Sequence, residues 1–271
     1  MRFVSFNANG VRARLHQIEA INEQHDPHIL AIQEIKVADE QFPLDDITAL
    51  GYRHVHYYGQ KGHYGVALFA KQAPVEVQLG LPWREAEQQR RFIAGVYQIG
   101  GERLHVINGY FPQGESREHP DKFPAKARFY SDVLRYLNER CDPTDHVILA
   151  GDMNVAPADD DIGIGEDNKK RWLQTGKCSF LPEERDWLNS LMAWGLSDSY
   201  LQHLNGNSRL FSWFDYRSRA FERNPKRGLR IDLILLSATL ATKTEAAGVD
   251  YAIRGLDKPS DHCPVWCEFS L

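Results

Sequence analysis

The chain has 271 residues, 42% of them hydrophobic, and a formal net charge of −5. A chain of this length buries roughly 70–75% of the surface its unfolded form exposes, so a sizeable core is available. The mild acidity argues against a general polyanion coat, and no apolar run approaches the ~20 residues that span a bilayer.

Four cysteines, Cys141, Cys178, Cys263 and Cys267, are too few and too scattered for a disulfide framework, which points to a reducing, cytoplasmic compartment. The first residues, Met1 to Phe6, alternate at once and lack the long apolar core of a signal peptide. No stretch rich in Pro, Ser or Gly looks like a linker and no internal repeat is visible. One domain over residues 1–271 is therefore expected.

Residues 2–9 read as a strand whose apolar run, Phe3 to Phe6, ends in Asn7 and Asn9. A helical period follows over 13–24, with Leu15, Ile18 and Ile21 on one face. The strand 29–34 is apolar to Ile32 and ends in Gln33 and Glu34. Further strands are expected over 66–71, 92–99 and 104–111, the last closing on Asn108, Gly109 and Tyr110. Phe129, Val133, Tyr136 and Leu137 mark a helix over 124–140. The strand 147–154 passes from Val147-Ile148-Leu149 to Asp152 and Asn154, which alternation places on one face.

Residues 156–181 have no clean period and read as a long loop, often a functional feature in compact domains. A helix starts at Pro182, with Glu183 and Glu184 in its first turn and Gly195 as its stop. Two strands complete the chain: 229–237, with Asp232 inside the most apolar run, and 264–269, introduced by Ser260-Asp261-His262. The opening order of strand, helix and strand suits a parallel doubly wound sheet, but the strand-rich middle does not continue it. Pattern supports α/β or α+β with mixed sheets.

Six apolar elements thus carry Asn, Glu, Tyr, Asp with Asn, Asp, and Asp with His at an end or within. Each has a bland reading. Asp152 and Asn154 could cap a turn, Asp232 could pair with Arg230 or Arg227, Glu34 could be a surface charge, and Tyr110 and His262 could be satisfied core residues. Six independent accidents are less plausible than one cleft that collects them. Hard oxygen donors such as Glu34 and Asp261 suit Mg²⁺ or Mn²⁺. No zinc-type Cys/His spacing, phosphate-binding Gly-rich loop, dinucleotide fingerprint or nucleophile elbow is present. Carboxylates, a divalent ion and a histidine together point to phosphoester hydrolysis.

Between Arg209 and Arg230 seven Lys/Arg face only Asp215 and Glu222, a local basic run in an acidic chain. Such a run is either a solvated face or a phosphate-binding patch.

At these residues the chain resembles the exonuclease III/AP endonuclease family. The likeness runs from Phe3-Val-Ser-Phe-Asn-Ala-Asn-Gly10 to Pro259-Ser-Asp-His-Cys-Pro-Val265. Between them lie Ile32-Gln-Glu-Ile-Lys36, Asn108-Gly-Tyr-Phe-Pro-Gln-Gly114, Gly151-Asp-Met-Asn154, Ser212-Trp-Phe-Asp-Tyr-Arg217 and Gly228-Leu-Arg-Ile-Asp232. Each block is weakly specific alone; all of them in order are a strong signal.

The resemblance implies a four-layer α/β sandwich of two mixed sheets flanked by helices, with the cleft at one end. It implies a monomeric, Mg²⁺-dependent nuclease that incises duplex DNA 5′ to abasic sites, digests 3′ ends and removes 3′-phosphates. By position, the resemblance implies Glu34 as the principal metal ligand, with Asp261 and Asn7 nearby, and leaves open whether a second ion joins at Asp152 and Asn154. Asp152 is the general base, Asn154 helps hold the attacking water, Tyr110 contacts the scissile phosphate, and Asp232 keeps His262 protonated. Trp213, Phe214 and Leu229 match a pocket for an extruded, base-less sugar, which costs less to unstack than a normal nucleotide. Lys170, Arg217, Arg230 and, more weakly, Arg91 become phosphate contacts.

Two other readings remain. A superfamily relative acting on a lipid or inositol phosphate would share the catalytic rim, but the 212–216 block and the basic run favour DNA. An idle DNA-binding module would be expected to lack Glu34, Asp152 or His262.

Overall fold

The computed structural model describes residues 1–84, 89–204 and 209–271. The first sheet is built from β1 (Arg2–Asn7), β2 (Ile29–Gln33), β3 (His54–Tyr58), β4 (Val66–Ala70), and the late strands β11 (Thr244–Val249) and β12 (Val265–Phe269). The second contains β5 (Pro74–Leu79), β6 (Phe92–Ile99), β7 (Glu102–Tyr110), β8 (His146–Asp152), β9 (Leu196–Asp198) and β10 (Asp232–Ser237). The helices are α1 (Leu15–His25), α2 (Leu44–Ala49), α3 (Lys122–Arg140), α4 (Glu166–Gln174), α5 (Pro182–Ala193), α6 (Ser199–Gln202), α7 (Ala238–Ala241) and α8 (Tyr251–Arg254).

The sheet orders are β11-β12-β1-β2-β4-β3 and β5-β6-β7-β8-β10-β9. Both follow one plan. A parallel pair lies at the centre, β1 with β2 and β7 with β8, and antiparallel neighbours flank it. Parallel strands need a crossover, and α1 and α3 supply it. Phe3, Ile29, Leu68, Val106, Ile148 and Ile234 fill the space between the sheets. The outer faces pack separately, Val4, Ile18, Ile32 and Ile47 on one side and Phe129, Val133, Leu149 and Leu191 on the other. Strands buried on both faces read as continuous apolar runs rather than alternating ones, as β4 and β10 do. The expected α/β sandwich of two mixed sheets with flanking helices is what forms.

One polar link crosses the apolar interior. Asn108 Nδ2 on β7 donates to the carbonyls of Ile32 (3.0 Å) and Ala67 (2.9 Å), and its Oδ1 accepts from Gln33 Nε2 at 2.7 Å. Because Asn108 is fully buried, each of these bonds offsets a desolvation penalty, and together they pin one sheet against the other.

The segment 156–181, read above as loop, carries α4. Its sequence, Glu-Asp-Asn-Lys-Lys-Arg-Trp-Leu-Gln, buries no residue fully and so shows no apolar stripe. The strands β3 and β5 were hidden for a related reason. All five residues of β3 are half-buried, and β5 at the sheet edge exposes Val75 and Leu79.

Candidate active site

The parallel pairs deliver their C-terminal ends to one end of the sandwich, where clefts form in sheets of this kind. Asn7 closes β1, Glu34 follows β2, and Tyr110 and Asp152 close β7 and β8 opposite each other in register. The antiparallel strands bring their beginnings to the same end, so Asp232 opens β10 opposite Asp152, and Asp261-His262 arrive just before β12. Gly151 makes the close approach possible: it lies at φ +139°, and a Cβ there would sit 1.9 Å from the Gly109 carbonyl oxygen.

At the centre, Asn7 Nδ2 donates to Glu34 Oε1 (2.9 Å) and to Asp152 Oδ2 (3.0 Å), so one buried amide bridges two carboxylates from different sheets. Asn154 adopts the left-handed backbone, φ +53°, which turns its side chain back. Its backbone N–H donates to Asp152 Oδ1 at 2.9 Å, and Nδ2 donates to Asp152 Oδ2 at 3.1 Å and to the Phe111 carbonyl at 2.9 Å. Glu34 also takes the left-handed form, φ +51°, uncommon for a long side chain and of a kind that clusters at functional sites. Burial works against its ionisation, yet the Lys36 ammonium 2.7 Å away and the Asn7 amide outweigh this and hold its pKa below the usual value.

Opposite them, His262 Nδ1 lies 2.8 Å from Asp232 Oδ2, and Nε2 faces Asp152 Oδ2 at 3.8 Å. Burial disfavours the imidazolium, but Asp232 and then Asp152 dominate and raise its pKa to about 10. Asp152 is pushed up to about 8, chiefly by burial; His262 opposes the shift while Asp232 and Glu34 add to it. Burial first, then Glu34, keep the Tyr110 phenol protonated far above its ordinary range. Tyr110 is thus a hydrogen-bond donor at neutral pH and not a base.

Atoms of Glu34, Asp152 and His262 lie within 4.8 Å of one another, a group able to hold a divalent cation. With His262 held as an imidazolium, the carboxylate oxygens of Glu34 and Asp152 are the better donors, hard ligands that fit Mg²⁺ or Mn²⁺. Asn7, expected as a further ligand, turns its Nδ2 to both carboxylates, and its Oδ1 accepts the Asn9 N–H at 3.0 Å. Asp261, expected as a ligand, stands outside this group: its oxygens accept from Asn9 Nδ2 at 2.8 Å and from Trp213 Nε1 at 3.0 Å.

The cleft of about 380 Å³ is lined on its polar side by Glu34, Tyr110, Asp152, Asn154 and His262. Trp213, Leu229 and Ile231 form its apolar wall. Phe214, expected on that wall, is not there. It is fully buried one layer below, edge-on against Phe211, Phe221 and Tyr251, because adjacent residues of an extended segment face opposite ways. Arg230 is a second correction. It is 1% exposed, and its guanidinium is taken up by Asp161 at 2.7 Å and Asp198 at 2.6 Å, so no phosphate reaches it.

Arg91 is buried behind Tyr110, stacked between its ring (4.5 Å) and that of Tyr64 (4.2 Å), and lines a neighbouring groove. Arg217 is exposed in a basic pocket with Arg171, Lys177, Arg223 and Arg227, which shares Trp172 and Trp213 with the cleft. Lys170 is exposed on α4, outside both linings. Sequence reading missed Ile231, Trp172, Lys177 and Gln113 as cleft residues. Period-two spacing from Leu229 pointed to Ile231; Trp172 and Lys177 lay in the segment taken for loop.

Residues 4–262 match the Endonuclease/Exonuclease/phosphatase family. The chain is 52% identical to exodeoxyribonuclease III of Haemophilus influenzae over 99% of its own length and 100% of that protein. Among solved structures, an AP endonuclease from Archaeoglobus fulgidus superposes with a TM-score of 0.89 at 31% identity, with all of both chains covered. The 3′ phosphatase NExo from Neisseria, bound to a product DNA hairpin, superposes with a TM-score of 0.88 at 32% identity, also with both chains fully covered. Fold, site and relatives agree: the chain belongs to the endonuclease/exonuclease/phosphatase family, in its exonuclease III/AP endonuclease branch.

Proposed function

We propose that this chain is a Mg²⁺-dependent DNA repair nuclease, with Mn²⁺ able to substitute. It incises duplex DNA 5′ to abasic sites, removes nucleotides from 3′ ends and clears 3′-phosphates. The observation that carries the reading is the buried set of Asn7, Glu34 and Asp152 facing the Asp232–His262 pair, with the apolar wall of Trp213, Leu229 and Ile231 beside it. The named activities of the relatives support the substrate class.

Glu34, with Asp152 beside it, would hold the cation, which would supply positive charge to the phosphate. Asp152 in its ionised form takes the proton from the attacking water and can return one to the leaving 3′ oxygen. Asn154 fixes the Asp152 carboxylate through two hydrogen bonds. The His262 imidazolium stabilises charge on the phosphate oxygens, and the Tyr110 phenol donates to the same group. A base-less sugar, which costs less to unstack than a normal nucleotide, enters once flipped against Trp213, Leu229 and Ile231.

The chain acts as a monomer in the cytoplasm on this reading. Among the described residues no helix is long and apolar enough to cross a membrane. The test offers the protein, with Mg²⁺, a duplex carrying one abasic analogue and, separately, an inositol phosphate. A nick leaving a 3′-hydroxyl 5′ to the lesion supports the proposal; phosphate release from the inositol alone refutes it.

A further inference from the structure

We propose that Lys126 is a positioning residue for the catalytic cleft, acting through Asn154 and Gln113. This rests on the nuclease reading above. Lys126 opens the buried face of α3 and is fully buried, as is its partner Glu184. Its ammonium has three donors and three acceptors: the Asn154 carbonyl at 2.9 Å, the Gln113 carbonyl at 3.3 Å, and Glu184 Oε1.

Both carbonyls belong to cleft residues. One helical turn on, Tyr130 donates to the Met153 carbonyl at 2.7 Å, so the same face of α3 holds two successive peptides of the loop that leaves β8. That loop contains the left-handed Asn154, whose side chain fixes Asp152. The other oxygen of Glu184 accepts the N–H groups of Ser179 and Leu181, each at 2.8 Å, and Ser179 also lines the cleft. One buried ion pair therefore ties three cleft segments to α3 and α5.

Stability alone does not require this arrangement, because a well-packed apolar pair often serves as well as a buried ion pair. What an apolar pair cannot do is hold two peptide carbonyls in fixed directions. A shift on the scale of 1 Å at such a site is enough to cost roughly 100-fold in rate.

The test is the double variant Lys126→Met/Glu184→Gln, which removes both charges and leaves an amide oxygen for the Ser179 and Leu181 N–H groups. Activity on a duplex with an abasic analogue is measured with Asn154 present and in an Asn154→Ala background. A positioning role predicts a kcat loss of roughly 10- to 100-fold with KM changed far less when Asn154 is present. With Asn154→Ala, the same exchange adds less than about twofold, because the two sites act as one unit. The amide proton resonances of Gly114 and Val155, which follow the two held carbonyls, move in Lys126→Met/Glu184→Gln, recorded at a temperature where circular dichroism shows the variant fully folded. Equal fractional losses in both backgrounds, or unmoved Gly114 and Val155 resonances, overturn the inference. If the wild type leaves the duplex intact, the nuclease reading fails and the resonances alone decide the positioning role.

Discussion

His262 Nδ1 lies 2.8 Å from Asp232 Oδ2, and both side chains are buried. The pair keeps the imidazole charged across the neutral range, with a pKa raised to about 10 despite burial that favours the neutral ring. In Asp232→Asn the largest raising influence is gone and burial weighs more heavily against the charged ring, with Asp152 left to oppose it, so the His262 pKa should fall from about 10 into the neutral range or below. Cleavage at pH 7.5 then falls at least ~100-fold. Imidazole NMR titration checks this; a ring still charged at pH 8 in the variant contradicts it. The linkage has a definite sign: a folded-state pKa raised above the unfolded one adds stability that is complete below ~6.5 and disappears as pH rises through about 10.

Asp152, raised to about 8 mainly by burial, retains its proton near neutrality when no cation is present. Binding of Mg²⁺ beside it should expel that proton, releasing up to about one per ion. An indicator-dye titration at pH 7 should show release that fades by pH 9, where Asp152 is already ionised. Equal release at both values rules this out.

Trp213 and Phe214 are neighbours with different tasks. Phe214→Ala empties a fully buried aromatic site and should cost about 3–5 kcal/mol of stability in urea unfolding. Trp213→Ala, on the cleft wall, should leave the unfolding midpoint nearly unchanged and selectively slow abasic-site incision relative to removal of a 3′-phosphate. The reverse ranking in stability is the contrary result.

Arg230 and Arg217 separate in the same way. Arg230→Met strands the buried Asp198 without its cation, leaves Asp161 with Arg209 alone, and should destabilise by about 3–5 kcal/mol. Arg217→Ala should leave stability intact and reduce the slope of log affinity for duplex DNA against log salt by about 1. A salt slope lowered by Arg230→Met in folded protein contradicts this division.

Much of the site was legible because strand ends are. An apolar run ending in Asn7, Glu34, Tyr110 or Asp152 announces both a buried strand and a polar rim, and the parallel pairs bring those rims together. What stayed hidden was depth. Arg230 and Lys170 are equally basic in sequence, yet Asp161 and Asp198, distant along the chain, bury the first and nothing buries the second. Lys126 was invisible for the same reason: its partners Gln113, Asn154 and Glu184 meet only in the fold. The half-exposed α4 and β3 lack the stripe or alternation that periodicity detects.

The central claim is that Asp152 and a divalent cation cleave DNA at abasic sites. It is tested most directly by incubating wild type and Asp152→Asn with a duplex bearing one abasic analogue and with an intact duplex, each with Mg²⁺ and with EDTA. Wild type should nick the abasic duplex only with the metal, and Asp152→Asn should lose at least ~100-fold in rate. Cleavage by Asp152→Asn at the wild-type rate, or none by wild type with Mg²⁺ or Mn²⁺, would contradict it.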